Sequence, residues 1–162
     1  MDLNRAILDI LEKNSRITPA ELAVRLDADE ADIVNAIAKM EDDGIICGYL
    51  SLINHEKLGD DKVTALIEVR VTPQKGDGFD SIAKKIYRYD EVQAVYLMSG
   101  GFDFTVIVEG KSMRDVAMFV SGKLAVLDQV LSTATHFVLR RYKDHGIEFE
   151  KRKEDERMRI TP

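Results

Sequence analysis

Tryptophan is absent from this sequence, cysteine occurs once, proline three times and histidine three times. With Cys47 alone, no internal disulfide is possible, which points to a reducing compartment. His55, His136 and His145 are too scattered to suggest a metal site, and no Cys/His spacing supports one. No apolar run approaches the roughly 18 residues of a membrane span. The opening MDLNRAILDILEK lacks the basic and apolar regions of a secretory signal, so a cytoplasmic protein without membrane contact is expected. No nucleophile sits beside a base, and no glycine-rich loop leads into a helix as a phosphate cradle does. A non-enzyme without cofactor or metal is therefore expected.

What is present is a soluble composition, 45% hydrophobic and 32% charged over 162 residues. The net charge of −6 is concentrated at the front. Residues 1–50 hold eleven acidic and five basic side chains, and the rest of the chain balances at eighteen of each. Leu3, Ile7, Ile10 and Leu11 mark a first amphipathic helix. Thr18-Pro19-Ala20-Glu21 combines a cap, a proline suited to the first helical position and an acid able to close a capping box. Asp29 is the expected cap of a third helix that buries Ile33, Ile37 and Met40 and ends at Gly44. Residues 45–49 then begin an extended wing or hairpin. Together these read as a helix-turn-helix whose third helix reads DNA.

Beyond a hinge strand or linker over 51–61 the periodicity changes. Val63–Thr72 alternates at period two, and Phe79, Ile82, Ala83 and Ile86 mark a helix. Val92–Met98 and Phe104–Glu109 are strands joined by a tight Gly100-Gly101 turn. Ser112-Met113-Arg114-Asp115 opens another helix, and Val130–Tyr142 is a final long strand. The order βαββαβ is ferredoxin-like. Both sheet faces read as largely apolar while the helices cover only one, so the open face is expected to mate with a second copy. The expected organisation is α+β: a winged helix-turn-helix domain over 1–50, the hinge over 51–61, a βαββαβ effector and oligomerisation domain over 62–146, and a charged tail over 147–162. That tail reads as an exposed helix or frayed chain.

Four motifs, RITPAELAVRL, KMEDDGIICGY, MSGGFDFTVIVEG and STATHFVLRRYKDHG, resemble those of the Lrp/AsnC (feast/famine) family in the same order over nearly the whole chain. The resemblance implies a DNA-binding front end and a C-terminal (RAM-type) domain that dimerises, often assembles further into octamers, and binds amino acids or related metabolites between dimers. The family's turn usually carries glycine and an apolar residue where this chain has Asp27 and Ala28, and its third helix usually exposes several basic residues. Here Asp29, Glu30 and Asp32 stand at the end expected to enter the groove. They either oppose phosphate or simply favour the positive end of the helix dipole.

Thr18, Asn35 and Lys39 are the candidate DNA contacts, with Asn35 suited to adenine and Lys39 to guanine or phosphate. In the turn, Ser99, Gly100 and Gly101 offer backbone N–H groups to a carboxylate, Asp103 offers an acceptor to an ammonium group, and Phe102 offers a wall. The resemblance adds hydroxyls from Ser132, Thr133 and Thr135. The competing reading makes Gly100-Gly101 a plain hairpin turn capped by Asp103. A second functional reading also stands: a metabolite-sensing oligomer whose acidic helix-turn-helix binds protein partners instead of DNA.

Overall fold

The computed structural model describes residues 2–60, 62–72 and 78–149. The described residues form two compact units that divide after Ile53. No helix among the described residues is long and apolar enough to cross a membrane.

The first unit holds α1 (Leu3–Leu11), α2 (Pro19–Leu26) and α3 (Glu30–Asp42). Each start is set by a side chain that accepts one of the otherwise orphaned N–H groups of the first turn. Asp2 accepts from Asn4 N–H on α1. Thr18 Oγ1 accepts from Glu21 N–H at 3.2 Å, while Glu21 Oε2 accepts from Thr18 N–H at 2.8 Å, closing the capping box. Asp29 accepts from Ala31 N–H at 2.8 Å. Ile7, Leu22, Ile33 and Met40 are fully buried between the helices, with Ile17 and Ala23 beside them. Truncating any of the larger four to alanine costs about 2–5 kcal/mol.

The turn from α2 to α3 stores strain. Asp27 ends α2 in the left-handed region at φ +50, where glycine is the usual occupant. Gly44 ends α3 at φ +70, and Ile45 and Ile46 N–H both return to Met40 O. The hairpin expected after Gly44 is not paired. No strand occurs between residues 45 and 54, and Tyr49 instead donates its hydroxyl to Glu41 Oε1 at 2.8 Å. The carboxylate neighbour and partial burial raise the Tyr49 phenol above its usual value, burial being the larger effect.

The second unit begins with α4 (His55–Leu58), a single turn capped by Asn54 where a strand or linker was expected. It continues as β1 (Val63–Val71), α5 (Gly78–Ile86), β2 (Val92–Leu97), β3 (Phe104–Gly110), α6 (Met113–Phe119) and β4 (Val130–Phe137). The sheet is antiparallel in the order β2-β3-β1-β4. Ser112 caps α6 by accepting from Asp115 N–H, and one turn of π-helix (Val120–Leu124) extends it. Ala65, Ile67 and Val69 of β1 pair with Val108, Val106 and Phe104 of β3. These six, with Ile82, Ile86, Val116, Phe119 and Leu124, form the core under the helices.

The opposite face is mixed. It carries Leu66, Ala94, Tyr96 and Ile107 beside Thr64, Glu68, Arg70, Thr105, Ser132 and His136, with His136 Nε2 lying 3.3 Å from Glu68 Oε1. The second apolar surface expected from β2 and β3 is thus diluted by the polar residues of β1 and β4.

The last strand is shorter than its expected run to Tyr142. Val138 N–H still reaches Thr64 O, but the ladder stops at Phe137. The chain then forms a small hairpin of β5 (Lys143–Asp144) and β6 (Ile147–Glu148). His145 and Gly146 lie at φ +45 and +79, the positive pair that a tight two-residue hairpin demands. The expected helical or frayed tail over 147–162 therefore begins as a strand, and its residues 150–162 lie outside the described residues.

Two outcomes follow for the first unit. Asp27→Gly is expected to raise stability by about 0.5–1 kcal/mol in urea unfolding, since a left-handed penalty of roughly 1–2 kcal/mol is partly offset by glycine's larger unfolded-state entropy. The Thr18 backbone N–H, then its hydroxyl, hold the Glu21 carboxyl below its ordinary value. The stabilisation is thus present above the ordinary glutamate pKa of about 4.3 and fades as pH falls through the lowered value. The melting-temperature gap between the native chain and Glu21→Gln should shrink between pH 6 and pH 3.

Candidate nucleic-acid interface and effector site

On α3 the fully buried Ile33 and Met40 fix the inner face, which turns Asp32, Asn35 and Lys39 outward at positions i, i+3 and i+7. The two predicted readers of α3 therefore share one exposed face, with an acid in line with them. Asp42 lies on the same side, whereas Glu41 is occupied by the Tyr49 hydroxyl. Asp29, counted by charge alone as an obstacle, is committed to the helix cap. The five basic residues of the first unit, Arg5, Lys13, Arg16, Arg25 and Lys39, are all exposed, and Arg5 is paired with Asp9 at 3.1 Å. Thr18 sits at the start of α2 with its hydroxyl already engaged by Glu21 as both donor and acceptor.

In the second unit, β2 and β3 are joined by a six-residue connection, Met98–Asp103, longer than the tight turn expected at Gly100-Gly101. Met98 N–H closes the loop on Asp103 O at 2.8 Å. Asp103 N–H then donates to Val69 O at 3.0 Å, and its Oδ2 accepts from Val71 N–H at 2.8 Å. The loop is thereby fastened to the end of β1. Val71 lies where the ladder between β1 and β4 slips: Arg70 faces Ser132, Val71 faces Val130, and Leu131 has no opposite number. Val71 N–H points to the β3 edge, just past the last pair Val69–Phe104, and the Asp103 carboxylate takes this otherwise unpaired donor. Its other oxygen has no partner among the described residues.

Ser99, Gly100 and Gly101 are exposed, and Phe102 is half-buried. Gly100 adopts φ +146, a conformation side chains rarely take, and no atom lies within 4 Å of where a Cβ would stand on either glycine. The space above the loop is open.

The hydroxyl residues of β4 do not join this loop in one pocket. Residues opposite one another on antiparallel strands share a face. Thr133 and Thr135 pair with Val69 and Ile67 and therefore face the helix layer, half-buried. Ser132 pairs with Arg70 and faces the open side, exposed. All three lie toward the loop's end of the sheet, but β4 is two strand spacings from β3, about 9.5 Å. Within one chain, Ser132 and the two threonines are on opposite faces of the sheet.

A further cleft of about 760 Å³ lies between the turn before β2, the end of β3 and α6. Met118 and Phe119 line it with Asp90, Glu91, Glu109, Asp115, Lys111 and Lys123. Lys123 is tied to Glu91 and lies over the Tyr89 ring at 5.5 Å. Its ammonium, bonded to Glu91, holds that carboxyl below its ordinary range. Among the described residues no group of His, Cys, Asp and Glu is arranged to hold a metal ion.

Residues 2–46 match the family model for a winged helix-turn-helix DNA-binding domain, and residues 64–147 match that of the Lrp/AsnC ligand binding domain. The HTH-type transcriptional regulator YugG of Bacillus subtilis is 45% identical over 157 residues, covering 96% of this chain and 95% of the relative. An HTH-type transcriptional regulator of Pyrococcus furiosus is 36% identical, covering 88% of this chain and 93% of the relative. Among solved structures, Escherichia coli AsnC superposes with a TM-score of 0.65 at 28% identity, over 87% of this chain and 93% of that one. A transcriptional regulator of Neisseria meningitidis in complex with L-Met shares the fold, with a TM-score of 0.71 at 24% identity over 89% and 92% of the two chains. These relatives are regulators and not enzymes. With both halves matched in order and a full-length relative at this identity, the chain belongs to the Lrp/AsnC family of helix-turn-helix transcriptional regulators.

Proposed function

We propose that this regulator senses an amino acid or a related small metabolite at the Ser99–Asp103 loop, and that occupancy changes how paired helix-turn-helix units of associated chains sit on operator DNA. The observation that carries the reading is the loop itself. It is exposed, glycine-lined and open above both glycines, it is pinned by Asp103 to β1, and it lies within the segment matching the Lrp/AsnC ligand-binding domain. Backbone N–H groups of the loop suit a carboxylate, the unused oxygen of Asp103 suits an ammonium group, and Phe102 suits an apolar side chain. The relative solved with L-Met supports an amino acid as the class.

Self-association belongs to the same reading. The sheet face without helices bears Leu66, Ala94, Tyr96 and Ile107, and Leu131, Leu139 and Tyr142 are exposed on or beyond β4. A second copy covering that side brings Ser132 of each chain to a contact between chains, where its hydroxyl is available to a shared pocket. The helix-facing Thr133 and Thr135 act there through packing. DNA contact falls to Asn35 and Lys39 on α3, with Thr18 at the start of α2. Binding of ligand and DNA is then coupled reciprocally, each altering the other's affinity by one factor.

A thermal-shift screen against the amino acids tests the sensing step, because a ligand that binds only the folded state raises its melting temperature by mass action. One amino acid should give a saturable rise. Asp103→Asn keeps an acceptor for Val71 N–H but removes the charge, so it should fold and yet lose about 5- to 150-fold in ligand affinity, as for a charge-assisted bond of roughly 1–3 kcal/mol. A variant that binds as well as the native chain contradicts the ammonium role. A mobility-shift titration from low to moderate salt tests the DNA step, and affinity should fall steeply with salt. No retention at any salt would leave the acidic first unit as a protein-binding module.

A further inference from the structure

The second and third helices each carry an acid at the third helical position, and the two acids meet different fates. On α2, Glu21 bends back onto the N–H and hydroxyl of Thr18. On α3, Asp32 holds the equivalent place, three residues after the cap Asp29. Its side chain is one methylene shorter, and it closes no box: the Asp29 carboxylate takes Ala31 N–H, and Asp32 has no hydrogen-bond or ion-pair partner among the described residues. A free, exposed carboxylate therefore stands on the first turn of the recognition helix, the turn whose residues meet base edges in a helix-turn-helix complex. With Ile33 and Met40 buried behind, Asp32, Asn35 and Lys39 run along one exposed line: an acceptor, an amide and a cation.

Resting on the reading of α3 as the DNA-reading helix, we propose that Asp32 is a specificity-determining residue that selects a base presenting an exocyclic amino group in the major groove, cytosine N4 or adenine N6. Both bases share the chemistry a carboxylate needs, an N–H donor. Guanine offers N7 and O6 there and thymine offers O4, all acceptors. A carboxylate facing them meets like partial charge and an unfilled bond, so selection comes as much from rejection as from attraction. Asn35, nearly one turn further on, is suited to an adjacent adenine, and Lys39 to guanine or phosphate beyond it. The sparse basic charge of this unit fits the same division of labour, in which α3 contributes discrimination and less phosphate neutralisation.

The test uses the full chain. Sites are selected from a random duplex pool with the native protein, and affinities for all four pairs at each position are measured for native, Asp32→Ala and Asp32→Asn proteins, with folding checked by circular dichroism. The native chain should prefer cytosine or adenine over guanine or thymine on the contacted strand by about 5- to 150-fold at one position per half-site. Asp32→Ala should level that position and spare the others, and Asp32→Asn should shift it toward adenine. Replacing the selected cytosine by 2-pyrimidinone, or adenine by purine, removes the amino group. That should cost the native chain the same factor and leave Asp32→Ala indifferent. If Asp32→Ala binds every sequence more tightly by one common factor, the acid only repels phosphate and the proposal fails. It fails equally if base preference is unchanged. A native chain that retains no duplex at low salt fails at the earlier step and removes the DNA reading itself.

Discussion

β1 is hydrogen-bonded along both of its edges, to β3 on one side and β4 on the other, and the second unit is organised by its two-residue alternation. Ala65, Ile67, Val69 and Val71 point one way and are buried under the helices, so Leu66, Glu68 and Arg70 must point the other. Because paired residues share a face, this single strand assigns the paired side chains of β3 and β4 to the core or to the open side. It also carries the two backbone groups, Val69 O and Val71 N–H, that hold the Met98–Asp103 loop. The sheet core and the candidate effector loop thus depend on the same register.

Charge plays the corresponding part in the first unit. Its acidic excess looks uniform by composition, but the structure divides it. Asp2 and Asp29 cap helices, Glu21 closes a box, Glu41 accepts the Tyr49 hydroxyl, and Asp9 pairs with Arg5. These groups have structural partners, although among the described residues only Asp9 has its charge offset by a cation. Asp32 and Asp42 are not so engaged, and of the two Asp32 stands on the first turn of α3.

Local signals in the sequence carried most of the fold. The capping patterns at Thr18, Asp29 and Ser112 and the period-two run over Val63–Val71 need only neighbours within a few residues to operate, and all four stand as read. Other features depended on partners far along the chain. The bulge at Arg70/Val71 arises from how two strands meet, and STATHF alone does not announce it; the split of Ser132 from Thr133 and Thr135 by face, in contrast, follows from strand alternation and was open to reading in the sequence. The fate of the Asp103 carboxylate depends on a donor 32 residues away. The early end of β4 had a local sign: His145-Gly146 suits a two-residue turn, which pulls the chain after Phe137 into its own hairpin. Asp27 likewise announces its cost, since it occupies a position where the family usually has glycine.

The bond from Asp103 to Val71 N–H bears on how the loop moves. Pulling the carboxylate away leaves a partly buried N–H without an acceptor, a penalty of roughly 1–3 kcal/mol that small excursions of the loop do not recover. The connection between β2 and β3 is therefore ill suited to graded flexing. It either stays latched to the end of β1 or unlatches as a discrete event, so a molecule seated on the glycines would meet a two-position clasp.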